Sequence, residues 1–255
     1  MNLLEVRGLS KVFGGVRALE ELHFNVGEGL IHSIIGPNGA GKTTLFNIIT
    51  GLYKPDAGEV RFAGKNLNGL APHRLATLGI SRTFQNLQIF FNMSVLENVM
   101  VGRHLHTLRS LTSSLLRLPS MVRDNAACRL KAEELLEWVG LAEYKEADAR
   151  VLPYGALKRL EIARAVAIEP RLLLLDEPAA GCNVRETQEI DALIQQVSEQ
   201  GVTVILVEHD MRLVMDISDH ILVINYGRWL AEGTAEEVRN NPEVVTAYLG
   251  NEARG

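Results

Sequence analysis

Residues 36–43 read Gly-Pro-Asn-Gly-Ala-Gly-Lys-Thr and fit G-x-x-x-x-G-K-[ST]. At ordinary glycine usage, chance supplies such a match in about one per cent of chains this long. Glycines at 36, 39 and 41 let backbone N–H groups turn inward around phosphate oxygens. A helix opening behind them would add the partial positive charge of its N-terminus. Lys42 is spaced to reach β- and γ-phosphates, and the Thr43 hydroxyl to sit on Mg²⁺. A dinucleotide fingerprint fits poorly, because Pro37-Asn38 stands where G-x-G is needed.

A second group of reactive residues closes the run Leu172-Leu173-Leu174-Leu175-Asp176-Glu177. Acids at the carboxyl end of a buried strand stand where α/β folds place their ligands. Asp176 suits the Mg²⁺ side, and Glu177 suits polarising an attacking water as general base. Alone, LLLLDE could also be a strand running out into solvent; the phosphate loop gives the pair its chemistry. His209, ending VTVILVEHD, and Gln85, in SRTFQN, carry little weight singly, since a lone histidine at a strand end is more often structural. Phe13 offers an aromatic face for a base, yet by itself it reads as a core or turn residue.

The elements that must hold these residues alternate. Residues 3–9, 22–26, 30–36 and 59–63 read as strands. Helical periodicity starts after Gly41 and returns at 72–78 and 94–103; the chain then looks mostly helical to about residue 168. Strands resume at 171–176, 202–208 and 220–225, with a helix at 184–199. Continuous apolar runs separated by helices predict strands buried on both faces of a parallel sheet. The order is α/β, a helical block, then α/β again, so a helical insertion into one sheet core is expected rather than two domains in series.

The 255 residues, 47% hydrophobic and 22% charged, suit one globular α/β domain and exclude a disordered tail, a collagen-like fibre or a coiled-coil rod. A net charge of −5 leaves no global cationic field for nucleic acid, so none is expected as a partner. Two cysteines, Cys128 and Cys182, are too few for a disulfide framework and suit a reducing compartment. Glu5 and Arg7 interrupt any signal-peptide core, and the longest apolar runs are strand-sized rather than the ~18 residues of a membrane span.

Taken in order, GPNGAGKTT, Gln85, LPYGALKRLEIARAVA, LLLLDEP and VEHD resemble an ATP-binding cassette (ABC) ATPase over essentially the whole chain. The phrases KVFGGVRAL, TLFNIITGLYKPDAGEV, RTFQNLQIF, LDEPAAGCN and RNNPEVVTAYLG resemble the ATPase subunits of high-affinity branched-chain amino-acid importers. The resemblance implies a P-loop NTPase core of parallel sheet flanked by helices, with an N-terminal antiparallel β subdomain, covering 1–85 and 169–255. A helical subdomain is inserted at 86–168. It implies ATP on Phe13 and on Gly36, Pro37, Asn38, Gly39, Ala40, Gly41, Lys42, Thr43 and Thr44, with Mg²⁺ held through Thr43, Gln85 and Asp176. Phe13 would stack on adenine, Gln85 would link metal and water to the helical subdomain, and His209 would contact the γ-phosphate beside Glu177 and Lys42. Leu152, Pro153, Tyr154 and Gly155 would close over the nucleotide of a second ABC ATPase subunit. Two membrane permeases and, indirectly, a periplasmic or lipoprotein binding protein would complete a machine on the cytoplasmic face of the inner membrane. The stretch after Gln85, QNLQIFFNMSVLENV, would receive a permease helix. An importer for urea, amides or other amino acids, a soluble cassette acting on nucleic acid or ribosomes, and a regulatory module without hydrolysis are the rival readings. The last is suggested by Pro153 and Asn183 and opposed by Lys42, Asp176, Glu177 and His209.

Two motifs depart from the family pattern. LSGGQ is replaced by Leu152-Pro153-Tyr154-Gly155-Ala156, and Pro153 has neither hydroxyl nor N–H to give a phosphate. A hydrogen bond to a charged group is worth about 1.5–3 kcal/mol. SALD is replaced by Ala180-Gly181-Cys182-Asn183. These changes suggest half of a heterodimer, paired with an ATPase of more ordinary signature; a homodimer is the alternative. Finally, residues 103–131 hold six Arg or Lys and the single acid Asp124, a basic amphipathic stretch suited to a membrane surface, to a partner, or merely to solvent. A metal site on His104 and His106 lacks an evident third ligand.

Overall fold

The computed structural model describes residues 2–104 and 119–252. Two long strands, β1 (Asn2–Phe13) and β2 (Val16–Gly27), form a hairpin that pairs out to Phe13 and Val16. Both turn residues, Gly14 and Gly15, have positive φ (53° and 89°), which a two-residue hairpin turn requires. The strands run past the expected 3–9 and 22–26 because this turn carries the ladder, through several bulges, beyond the apolar alternation. With β4 (Ala57–Phe62) and β5 (Lys65–Asn66), the order of the first sheet is β2-β1-β4-β5, all antiparallel; β3 (Ile31–Ile35) belongs to the second sheet.

The second sheet takes β3, β6 (Ile80–Arg82), β7 (Leu172–Asp176), β8 (Thr203–Val207), β9 (His220–Asn225) and β10 (Arg228–Gly233) in the order β10-β9-β3-β8-β7-β6. β9, β3, β8, β7 and β6 are mutually parallel. β10 returns antiparallel through Tyr226-Gly227, both at positive φ, and was not anticipated because RWLAEG lacks a continuous apolar run. β3, β7 and β8 are buried at every residue. The aliphatic runs at 172–175 and 204–207 dictate this for β7 and β8, while β3 buries His32 and Ser33 among its isoleucines.

The helices among the described residues are α1 (Lys42–Ile49), α2 (Pro72–Thr77), α3 (Val95–Gly102), α4 (Pro119–Trp138), α5 (Tyr154–Val166), α6 (Val184–Glu199), α7 (Met211–Ile217), α8 (Ala235–Arg239) and α9 (Pro242–Glu252). Ser94 opens α3 with a reciprocal capping box to Glu97. Among the described residues no helix is long and apolar enough to cross a membrane.

Contacts divide the chain into two compact units. The first holds residues 1–82, 171–177 and 194–255, the second 83–170 and 178–193. The core of the first packs α1 (Leu45, Phe46, Ile49) with the antiparallel sheet (Leu4, Val6, Phe62) and the parallel sheet (Leu174, Ile205, Leu222). In the second, α5 buries most of its residues, among them Lys158 and Glu161. Residues 105–118, and with them His106, Arg109 and Arg117 of the basic stretch, lie outside the described residues. Of its described members, Arg103 pairs with Glu169 (2.9 Å), Arg129 with Glu133 (3.3 Å) and Lys131 with Glu134 (2.9 Å).

Candidate functional site

β3, β8 and β7 are adjacent and parallel, so the segments leaving their carboxyl ends emerge together. β3 runs into the glycine loop, β7 ends on Asp176-Glu177, and β8 ends just before Glu208-His209. Two loop glycines are sterically required. A Cβ on Gly36 would stand 2.0 Å from the Ile224 carbonyl oxygen, and one on Gly41, at φ 105°, 2.5 Å from that of Ala18. Gly41 is the N-cap of α1, so the first turn of that helix, Lys42-Thr43-Thr44, opens directly from the loop, with Thr43 exposed.

Lys42 arches back over the loop, its Nζ donating to the carbonyls of Gly36 (2.6 Å) and Pro37 (3.1 Å). Burial pulls its pKa down, and the negative charges of Glu177 and Asp176 oppose that shift. The cation and both carboxylates thus share one electrostatic site. Glu177 sits at φ 49°, in the left-handed region, with its N–H donated to the Val207 carbonyl (2.9 Å). Strain of this kind at a non-glycine residue costs about 1–3 kcal/mol and gathers at functional sites. His209 is largely exposed; its Nδ1 lies 3.9 Å from Glu177 Oε1 and 3.6 Å from Oε2 of the buried Glu208.

Thr43 and Asp176 are hard oxygen donors, as a divalent cation shared with phosphates needs. No cluster of three or more His, Cys, Asp or Glu placed to hold a metal occurs among the described residues. Phe13, at the β1–β2 turn, is half-exposed. Tyr53 meets it edge-on (centroids 5.3 Å apart, 67°), and Lys11 Nζ lies 5.3 Å from its centroid. Asp56 fixes this corner by accepting from Lys11 Nζ (2.9 Å) and the Val12 N–H (2.7 Å).

Two residues of the first unit escaped the sequence reading. Arg82, closing β6, donates to Asp176 Oδ2 at 2.8 Å. Tyr248, on α9, packs on the cluster containing Ile35 and faces the Gly36 N–H; burial pushes its hydroxyl up to about 12. Their partners are distant in sequence, and no local pattern announces them.

Gln85 and residues 152–155 belong to the second unit. Gln85 lies in the loop before α3, whose backbone N–H groups at Gln88 (3.3 Å) and Phe84 donate to the buried Glu161 carboxylate. Pro153 is the N-cap of α5, where its missing N–H leaves no helical bond unmade. The Tyr154 hydroxyl donates to the Ala180 carbonyl (3.1 Å), and a Cβ on Gly181 would stand 3.1 Å from the Tyr154 ring. A Cβ on Gly155 would meet the Glu186 carboxyl at 2.6 Å. Asn183 accepts from the N–H groups of Arg185 (3.0 Å) and Glu186 (3.1 Å), while its own N–H donates to Glu186 (3.0 Å). Asparagine here caps α6, a role in which a neutral side chain suffices.

A glycine loop between a central parallel strand and a helix, with carboxylates ending a nearby strand, is the arrangement of P-loop nucleotide hydrolases. The ABC transporter family model matches residues 19–180, and the chain belongs to that family, whose ATPase domain binds and hydrolyses ATP. A second model, described as branched-chain amino acid ATP-binding cassette transporter, matches residues 230–254. The chain is 47% identical to the high-affinity branched-chain amino acid transport ATP-binding protein BraF of Pseudomonas aeruginosa, over 97% of this chain and 98% of that one. It is 46% identical, with the same coverage, to the LivG protein of the same description from Escherichia coli. Among solved structures it resembles an ATP-binding cassette of an ABC transporter in its ADP conformation, with a TM-score of 0.84 and 33% identity over 98% and 99% of the two chains. It also resembles a nucleotide-free cassette, with a TM-score of 0.84 and 34% identity over 97% and 99%.

Proposed function

We propose that this chain is the ATP-hydrolysing subunit of an importer for branched-chain amino acids, seated on the cytoplasmic face of the membrane. It would work with a second cassette subunit, two permeases and, indirectly, a substrate-binding protein. The observation that carries the site is the convergence of Lys42, Asp176, Glu177 and His209 at the ends of adjacent strands. The substrate rests on the similarity to BraF and LivG and on the match at 230–254.

In this reading the loop amides and Lys42 hold the β- and γ-phosphates, and Phe13 carries the adenine. Mg²⁺, held through Thr43, Asp176 and Gln85, would neutralise phosphate charge. Glu177 accepts a proton from the attacking water as the water oxygen bonds to the γ-phosphorus and the bond from that phosphorus to the β–γ bridging oxygen breaks, with ADP as the leaving group. His209 orients the γ-phosphate side, and most of the remaining acceleration is positioning and electrostatics. Residues 152–155 would face the nucleotide of the partner cassette. We divide the chain functionally into a nucleotide-binding core (1–85, 169–255) and an inserted helical subdomain (86–168) that answers to the permeases.

Glu177→Gln tests the site. Nucleotide binding should persist while hydrolysis by the assembled transporter falls by about 10²-fold or more; near-normal hydrolysis would remove Glu177 from its role. Uptake of radiolabelled leucine and urea, compared in cells with and without the gene, tests the substrate. Loss confined to urea would overturn the assignment.

A further inference from the structure

The Asp176 carboxylate is held by a buried arginine that the family motifs do not include. Arg82 and Asp176 have side chains only 7% and 5% exposed, and their pair is 2.8 Å long. The same guanidinium donates to Asn47 Oδ1 (2.7 Å) and Thr50 Oγ1 (3.1 Å), and its central carbon lies 5.4 Å from the Phe46 ring centroid. Phe46 and Asn47 lie on α1, the helix that opens from the phosphate loop, and Thr50 is its C-cap. One planar fork therefore ties the end of β7 to that helix, and it does so from the last residue of β6, three positions before Gln85.

We propose that Arg82 is a positioning residue for the divalent cation. By gripping Oδ2 it sets the orientation and charge of Asp176 relative to Thr43, and so sets how tightly the metal joins the nucleotide. This rests on the nucleotide-site reading above. The geometry explains why arginine is needed: a guanidinium reaches the carboxylate, the amide and the hydroxyl at once, whereas a lysine ammonium is a single point of charge. It also explains how so buried a charge is tolerated, since its partners are a paired carboxylate, two polar oxygens and an aromatic face.

The test uses the full-length chain and a fluorescent ATP analogue, titrated with Mg²⁺ and, separately, with EDTA present. Arg82→Lys keeps the charge and loses the fork. The Mg²⁺ concentration giving half-maximal enhancement of binding should rise about ten-fold or more, the usual size of losing an outer-shell partner of a metal ligand. Binding in EDTA should be retained, and thermal unfolding should show a folded protein. Asn47→Ala leaves Arg82 in place but removes one anchor, and should raise the Mg²⁺ requirement in the same direction by less; it keeps the idea testable should Arg82→Lys not fold. An unchanged Mg²⁺ requirement in a folded variant would overturn the proposal. Equal weakening with and without Mg²⁺ would also overturn it, by making Arg82 a general structural residue. A wild-type chain that binds the analogue equally with and without Mg²⁺ would overturn the proposal alone, whereas one that does not bind the analogue at all would refute the nucleotide-site reading itself, and the proposal with it.

Discussion

Tyr154 and Gly181 fit each other as a pair. Each looks like an isolated departure in the sequence, one in the signature and one in the loop after Asp176-Glu177. In the structure the ring of one lies against the backbone of the other, and the hydroxyl reaches the neighbouring carbonyl of Ala180. Gly181 also sits at φ 81°, which disfavours any side chain. Gly181→Ala should therefore lower stability by about 1–3 kcal/mol, from backbone strain plus crowding of the ring. Tyr154→Ala should relieve the crowding alone, so the double variant should melt higher than the sum of the two single changes requires. Additive melting shifts in a double-mutant cycle would show that the two do not interact. Lys42, Asp176 and Glu177 were legible because their spacing is local and their chemistry specific. Arg82 was not: its meaning depends on Asp176, 94 residues away, and an arginine closing a short strand carries no signal of its own.

At the scale of elements, α5 buries charges that a sequence reading assigns to solvent. Lys158, Glu161 and Arg164 recur at three-residue spacing on one side of the helix; the first two are fully buried, and Arg164 stacks on Phe90 (5.3 Å). The loop from Phe84 to Phe90 meets two of them: Phe90 lies against Arg164, and Glu161 holds the loop by its Phe84 and Gln88 N–H groups. Glu161→Ala should speed amide exchange at Gln88 by about ten-fold or more, since a hydrogen bond to a charged group is worth about 1.5–3 kcal/mol. Unchanged exchange would separate the loop from the helix. Burial also raises the Glu161 pKa above its ordinary 4.5. As pH falls, the folded chain takes up this proton before the unfolded chain does, so stability owed to the group rises as pH drops towards 4.5 and falls as pH climbs. The melting difference between wild type and Glu161→Gln should accordingly shift in favour of wild type from pH 7 to pH 5; a shift the other way would mean the hydrogen bonds outweigh burial. β7, β8 and β9 were legible from their aliphatic runs, whereas the three-residue β6 is too short to carry one and β10 was hidden because an edge strand exposed on one side needs no such run.

For the whole molecule, a net charge of −5 and two free cysteines are ordinary for a globular chain, and neither quantity hints at a transporter. The family's order of motifs does, because it spans almost the full length. Strand order adds something that motif order hides. β3 carries the phosphate loop, yet its lateral neighbours are β8 and β9, which begin at Thr203 and His220. A chain cut after residue 202 would keep Lys42, Asp176 and Glu177 and still should not retain a fluorescent ATP analogue; retention would show that β3 can hold its loop unpaired. The same arrangement dictates a schedule. Between the synthesis of Ile35 and that of Asn225 lie 225 − 35 = 190 residues, roughly 10–40 s at about 5–20 residues per second. Until β8 is made both hydrogen-bonding edges of β3 are open, and until β9 follows one of them still is, so the nascent chain has to be shielded from its neighbours until its last quarter emerges.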